Sequence, residues 1–361
     1  MKILFISHDS SRTGAPLILL HFLKWLRTKP NKFKIHVLLL NGGELKEEFS
    51  ENSEVLFQVN SSKRKSIFRK KPEDQLLKKL VRQEYDLVYA NSIVSLPWAV
   101  KIRNLCSELK VICHVHELRT IIKMSVPQIK GLVDEVDLFI AASEIVKQDL
   151  TKEWNIDNKK IEVIHEFGIN ESHLGMNKKG NEFIVGGVGT VHWRKGTDLF
   201  LLVAKYVFEQ KPDANIKFKW VGGYGESPLI VQEDLRKLGL SDKVIFTGNI
   251  KNTSEVFNEF DIFLLPSRED PFPLVCIEMA ELNKPIISFE KASGSNRFIK
   301  KGGGFVVPYL DVKEMAEKVI YYFENKNFIK KHGEQNRLNF AEFTKENICQ
   351  KLVEQIQKFE L

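Results

Sequence analysis

Residues 265–289 read LPSREDPFPLVCIEMAELNKPIISF, and the order of segments along them decides the fold. The apolar run 261–265 that leads into this stretch predicts a buried strand. Pro266 and Ser267 end it, and a charged loop, 268–270, follows. Pro271, Phe272 and Pro273 then lead into an apolar helix from Leu274 to about Leu282. Asn283, Lys284 and Pro285 stop that helix, and 286–289 predicts the next strand. Strand, loop, helix and strand form a βαβ unit, whose ligands bind at the loop leaving the first strand. The amino end of the helix carries partial positive charge and unpaired N–H groups, which suit a diphosphate. Asp270 stands at the mouth of the loop, and Glu278 lies one to two turns into the helix. An ionised carboxylate there accepts hydrogen bonds from a pair of sugar hydroxyls. Solvated acidic residues are also common at such places, so periodicity alone leaves both readings open.

The segment from Ser267 to Phe289 resembles the hallmark of the retaining GT-B glycosyltransferases of family 4, the glycosyl transferases group 1. Their usual form is a glutamate pair, E-x7-E, within the frame PS-x-x-E-x-F-G-L-x-x-x-E-A-M-A. Here Asp270 replaces the first glutamate, Glu278 is the second, and Pro273 stands for a glycine. Proline has no N–H, so one donor to phosphate or sugar is missing, although proline suits a first helical turn. The resemblance implies that Asp270 holds the transferred sugar and Glu278 the ribose hydroxyls. It also places Phe272, Pro273, Leu274 and Val275 beside the donor.

A second informative stretch, 186–196, reads GGVGTVHWRKG. A strand ends in glycines, a basic pair follows, and a helix begins near Gly196. Cations in such a loop neutralise a leaving diphosphate. The stretch resembles the family's G-R-L-x-x-x-K-G, with Lys195 matching its phosphate-binding lysine. Thr190 stands where the family has arginine, which leaves Arg194 as the source of a second charge. Gly222 and Gly223 resemble the strand-end G-x-G near the nucleotide. Gly248, Asn249 and Ile250 match the segment whose backbone reads the base. Residues 293–297 match a loop that commonly carries Gly-Gly and a glutamate. Arg297 occupies the glutamate position, so only Gly294 carries over.

The amino-terminal half opens with a predicted buried strand, 2–7, and a small-residue loop, 8–16, entering an apolar helix, 17–26. The loop has no G-x-G-x-x-G, which argues against a dinucleotide site. By resemblance Gly14 faces the donor phosphates or the acceptor, and a helix-entry glycine is the plain alternative. In the predicted strand 111–116, alternation puts His114 and His116 on one face. His116 resembles the family's active-site histidine, which contacts donor sugar or phosphate and is not a nucleophile. A structural hydrogen-bonding role is the alternative. The pair is not expected to bind metal, because the sequence places no third ligand nearby. Asn91 and Ser92 line the acceptor side or cap the strand end.

Strands at 34–40, 55–59, 86–91, 138–142 and 162–165 alternate with helical patterns, including 75–83 and 94–109. A polar stretch, 168–182, reads as a linker. A second series follows, with strands at 183–188, 216–221, 244–247, 262–265, 286–289 and 305–307. This order predicts α/β architecture with two parallel sheets. The expectation is a GT-B fold with two Rossmann-like domains facing across a cleft. An acceptor-side domain takes 1–172 and a donor-side domain 173–342, with a C-terminal helix, about 343–361, packing back on the first.

The 361 residues suffice for two cores, and 43% hydrophobic with 28% charged residues is ordinary for a globular protein. A formal charge of +7 favours anionic partners. Cys106, Cys113, Cys276 and Cys349 show no metal spacing and read as reduced core thiols. Neither a signal peptide nor a membrane span is expected, which points to a cytoplasmic protein, at most peripheral at the inner face of a membrane. A basic cluster, Lys63, Arg64, Lys65, Arg69, Lys70, Lys71, Lys78, Lys79 and Arg82, reads either as a contact with anionic membrane or as a solvated face. Phe68 is its one interleaved aromatic, so nucleic acid is not an expected partner.

The expected activity is transfer of a sugar from a nucleoside-diphosphate donor to a hydroxyl of a glycan or lipid-linked acceptor, with retention and without metal or other cofactor. Surface polysaccharide or glycoconjugate synthesis is the expected setting. The alternatives are another GT-B enzyme, such as a sugar-nucleotide epimerase or a phosphorylase, and a noncatalytic nucleotide-sugar binder.

Overall fold

The computed structural model describes residues 1–30, 33–59, 72–169, 180–225, 227–250 and 253–360. The chain divides into two units, Met1–Ile169 with Lys345–Leu361, and Asn170–Thr344.

In the first unit a seven-stranded sheet runs in the order β3-β2-β1-β4-β5-β6-β7, every pairing parallel. The strands are β1 (Lys2–Ser7), β2 (Lys34–Leu39), β3 (Val55–Gln58), β4 (Leu87–Asn91), β5 (Lys110–Val115), β6 (Leu138–Ala141) and β7 (Ile161–Val163). Parallel strands covered on both faces read as continuous apolar runs, and β1, β4 and β6 are buried along nearly their whole length. Helices α1 (Gly14–Thr28), α2 (Lys46–Glu51), α3 (Pro72–Val81), α4 (Leu96–Arg103), α5 (Arg119–Ser125) and α6 (Glu144–Trp154) connect them.

The expected helix over 94–109 is shorter. A 3-10 turn, Ile93–Ser95, precedes α4, and Arg103 ends it by donating to the carbonyl of Leu109 and pairing with Asp137. Likewise β5 ends at Val115, so His116 lies one residue past the strand. The basic residues Lys63 to Lys71 and the linker residues 170–179 lie outside the described residues. Lys78, Lys79 and Arg82 are exposed on and just after α3.

The second unit holds a six-stranded sheet, β10-β9-β8-β11-β12-β13, again all parallel. Its strands are β8 (Phe183–Val188), β9 (Ile216–Val221), β10 (Val244–Phe246), β11 (Ile262–Leu265), β12 (Ile286–Phe289) and β13 (Gly304–Val307). Helices α7 (Thr197–Gln210), α8 (Pro228–Leu238), α9 (Ser254–Glu259), α10 (Leu274–Glu281), α11 (Asn296–Ile299), α12 (Val312–Glu324) and α13 (Asn327–Phe340) follow in turn. One core of this unit gathers Phe200, Phe218, Trp220, Leu264, Ile287 and Tyr322, each fully buried.

The last helix, α14 (Lys345–Gln357), belongs to the first unit. It buries Ile348, Cys349, Leu352, Val353 and Ile356. Glu346 anchors it to α1 by accepting from Trp25 Nε1 at 2.6 Å and Lys29 Nζ at 2.8 Å. Among the described residues no helix is long and apolar enough to cross a membrane.

Candidate functional site

Strand order fixes where a ligand fits. In the second unit the order reverses between β8 and β11, and the loops leaving those strands flank the crevice where open α/β sheets bind ligands. Lys195 and Asp270 lie in those two loops, 75 residues apart in sequence, with Lys195 Nζ donating to Asp270 Oδ2 at 2.6 Å. Ser267 Oγ donates to the same oxygen at 3.2 Å, and Arg194 lies 3.5 Å from Oδ1. Asp270 is only 4% exposed. Burial disfavours its charge, but Lys195 and Arg194 outweigh that and hold the carboxyl below its ordinary value. Thr190, standing where an arginine was expected, is exposed in the loop after β8. Arg194 is therefore the second cation beside Asp270.

The loops are locked to each other. Gly196 has φ 68°, and a Cβ there would lie 2.0 Å from the carbonyl oxygen of Pro266, so only glycine fits. Arg268 N donates to the Arg194 carbonyl at 2.8 Å, and its guanidinium grips Asp198 through two bonds of 2.9 and 2.8 Å. It also bonds the Trp193 carbonyl and lies over the Trp193 ring, 5.6 Å from its centroid. The sequence reading missed Arg268 and Asp198, whose pairing spans 70 residues and has no local signature.

The loop after β12 closes the far side. Asp270 N donates to Ala292 O at 2.8 Å, and Gly294 N donates to Pro271 O at 3.1 Å. Arg297 is exposed and lies over the Phe298 ring. Pro273 occupies the N-cap of α10, one residue before the first turn where it was expected, and its carbonyl accepts from Cys276 N at 3.0 Å. The first helical amides, those of Leu274 and Val275, lack acceptors inside the helix, as in any helix. Val275 is buried and Leu274 half-buried. Glu278 is the charged residue on the buried face of α10, 8% exposed. Phe272, expected beside the donor, packs its ring into an aromatic core with Phe298, Phe340 and Phe343. Its size and apolarity favour that core over a polar ligand.

The ends of β8, β9 and β10 are stitched together nearby. Gly222 bridges to Gly248, and its φ of 145° brings its Cα so close to Gly189 O that a Cβ would lie 2.1 Å from it. Trp220 Nε1 donates to Gly189 O at 2.7 Å. Asn249 is exposed and Ile250 half-buried, directly after the Gly222–Gly248 bridge.

In the first unit the reversal falls between β1 and β4. Gly14 is the first residue of α1, with open space where a Cβ would go, so neither close approach nor backbone geometry demands glycine there. Asn91 ends β4 and is buried, its Nδ2 donating to Ala15 O at 2.9 Å. Its Oδ1 faces His116 Nε2 at 3.1 Å, and His116 Nδ1 lies 2.6 Å from Glu166 Oε1. Ser92 caps Val94 N and donates to Glu117, as a strand-end residue would.

The expectation that no third ligand-type group lies near His114 and His116 is corrected: Glu166 joins them, with one ligand atom of each within 4.8 Å of the others. The fold brings it from the segment after β7, 50 residues away. A signal existed, since Glu166 interrupts the apolar run around Ile164 and Phe167. Burial lowers the pKa of His116, but the carboxylates of Glu166 and Glu117 outweigh this and hold it above its ordinary value. His114, buried and next to that charge, is held well below.

Comparison with known proteins gives this architecture a family. Residues 169–339 match the model "Glycosyl transferases group 1", and residues 14–167 match "Glycosyltransferase Family 4". Anabaena HepE, solved in complex with UDP and glucose, superposes with a TM-score of 0.82 at 20% identity, covering 99% of this chain and 100% of that one. The lipopolysaccharide core biosynthesis mannosyltransferase LpsB of Rhizobium meliloti is 25% identical over 148 residues, 39% of this chain and 42% of its own length. The alpha-galactosylglucosyldiacylglycerol synthase of Streptococcus pneumoniae is 27% identical over 179 residues, 47% of this chain and 44% of its own. The matched stretch thus spans less than half the length of either curated relative. The two family models, one on each unit, together cover most of the sequence, and with its two Rossmann-like sheets the chain belongs to the group 1 glycosyltransferases of the GT-B fold.

Proposed function

We propose that this chain transfers a sugar from a nucleoside-diphosphate donor to a hydroxyl of a glycan or lipid-linked acceptor, with retention at the anomeric carbon. The observation that carries the reading is the meeting of Lys195, Arg194 and Asp270 at the β8/β11 reversal, just before α10 and its buried Glu278. In this reaction the bond from the anomeric carbon to the diphosphate breaks and a bond to the acceptor oxygen forms on the same face. The acceptor proton passes to an oxygen of the leaving phosphate, so no side-chain base is needed. Lys195, Arg194 and the amino end of α10 stabilise charge developing on the diphosphate, the term that weighs most in such transfers. Glu278 holds the ribose hydroxyls and Asp270 the transferred sugar. Protein cations take the place a metal would fill.

The HepE complex with UDP and glucose supports a nucleotide-sugar donor, and the names of the lipopolysaccharide and glycolipid relatives support a surface glycan or lipid acceptor. A second reading, a noncatalytic binder, is favoured by Thr190, exposed at the position where the family pattern has an arginine.

A thermal-shift and hydrolysis screen against UDP-, GDP-, ADP- and dTDP-sugars tests both, with Lys195→Ala and Glu278→Ala alongside. Ligand that binds the native state raises its stability in proportion to the logarithm of its excess over Kd. One nucleotide sugar should stabilise the wild type, lose that effect in both variants and release free sugar slowly. Stabilisation without turnover, even with acceptor extracts, selects the noncatalytic binder. No stabilisation by any donor contradicts the donor site.

A further inference from the structure

We propose that Arg268 is a positioning residue: paired with Asp198, it clamps the joint at Gly196 and, on the donor-site reading given above, aims Lys195 at the diphosphate.

Lys195 ends a 3-10 turn, Trp193–Lys195, and Gly196 alone separates that turn from α7. Gly196 has φ 68°, a conformation in which glycine gives a joint with little stiffness of its own. The direction of the turn is therefore set by what holds it from outside. Arg268 takes both carbonyls ahead of Lys195: its backbone N donates to Arg194 O at 2.8 Å, and its Nη1 donates to Trp193 O at 2.9 Å. The same guanidinium grips Asp198, in the first turn of α7, through Nη1 at 2.9 Å and Nη2 at 2.8 Å. One residue thus ties the turn on one side of Gly196 to the helix on the other. Arg194 completes the clasp, its Nη1 donating to Glu269 O at 3.0 Å. Held this way, Lys195 Nζ meets Asp270 Oδ2 at 2.6 Å.

Two plainer roles fit less well. Direct phosphate binding needs N–H groups to spare, and both on Nη1 and one on Nη2 are committed. Asp198 also balances the charge. A stabilising ion pair needs burial, and although the Arg268 side chain is 14% exposed, that of Asp198 is 55% exposed, so water screens the pair. What the fork supplies is direction. Two parallel bonds to a carboxylate fix a planar guanidinium as they cannot fix a lysine ammonium.

Hydrogen exchange read by mass spectrometry tests the clamp with no donor present. The turn closes through Lys195 N to His192 O and Gly196 N to Trp193 O. Hydrogen bonds to a charged group hold it shut, so in Arg268→Gln these amides should exchange about tenfold faster or more, with the rest of α7 unchanged. Calorimetric titration with UDP, GDP, ADP and dTDP then tests the aim. The diphosphate that binds the wild type should bind Arg268→Gln about tenfold more weakly, since a misplaced charge loses much of its grip. In a Lys195→Ala background the same substitution should cost less than about twofold, because the two residues act through one contact. Arg268→Lys keeps the charge without the fork and should behave as Arg268→Gln. Should Arg268→Gln fail to fold, Asp198→Asn removes one end of the clamp and carries the same expectations. Unchanged exchange in the turn, or full recovery by Arg268→Lys, overturns the proposal. So do additive losses in the double variant, which would put Arg268 on the phosphates itself. A wild type that binds none of the four overturns the donor site and with it the aim, while exchange still decides the clamp.

Discussion

Asp270 and Lys195 define each other. A lysine ammonium aimed at a buried carboxylate is fixed in place before any ligand arrives, whereas a loop lysine without that partner would wander through its rotamers. The pairing should be visible in stability. Replacing Asp270 with Asn leaves Lys195 beside a neutral amide and should lower stability by about 3 kcal/mol at neutral pH, the low end of the range for breaking a buried pair, because the Lys195 side chain keeps 19% exposure. The depressed folded pKa means that this contribution is complete above the ordinary value of 3.8 and disappears as pH falls through the folded value. Urea unfolding of wild type and Asp270→Asn from pH 7 to pH 3 should show the gap closing at the acid end. A gap that stays constant would contradict the ionised pair. Both residues were legible in the sequence, because motif spacing names them. Their contact, and that of His116 with Glu166, was not, because burial and partnership are set by strand order and leave no mark on local pattern.

At the scale of elements, the parallel strands were the most legible part. Continuous apolar runs such as those of β1, β8, β11 and β12 predicted those strands with the bounds observed, to within a residue. Helix ends were harder, since tertiary bonds decide them, as Arg103 does at the end of α4. Phe272 shows the same limit. It lies in the donor motif, yet its ring packs on Phe343 at 5.1 Å, anchoring the loop before α10 from below. Gly196 is the hinge between the basic loop and α7. Gly196→Ala would add strain of about 1–3 kcal/mol for a left-handed backbone, before any clash with Pro266 O at 2.0 Å. Calorimetric unfolding should show a lowered Tm for this variant, with donor affinity reduced as Lys195 shifts. A Gly196→Ala protein as stable as the wild type would mean that the two loops are not locked as described.

At the scale of the molecule, two successive strand–helix series were enough to foresee two Rossmann-like sheets. The sugar and the acceptor were not foreseeable, because they depend on pocket shape and a few hydroxyl partners that no spacing encodes. The central claim is that the β8/β11 reversal binds a nucleoside diphosphate through the cations of one loop and the helix start of the other. Calorimetric titration tests it most directly, using the nucleoside diphosphate chosen by the donor screen and its unphosphorylated nucleoside, on wild type and Lys195→Ala. Charge-assisted contacts to phosphate contribute roughly 1.5–3 kcal/mol, so the diphosphate should bind about tenfold or more weakly to the variant. Nucleoside affinity should stay unchanged. Equal diphosphate affinity in the two proteins would place the phosphates elsewhere and contradict the account.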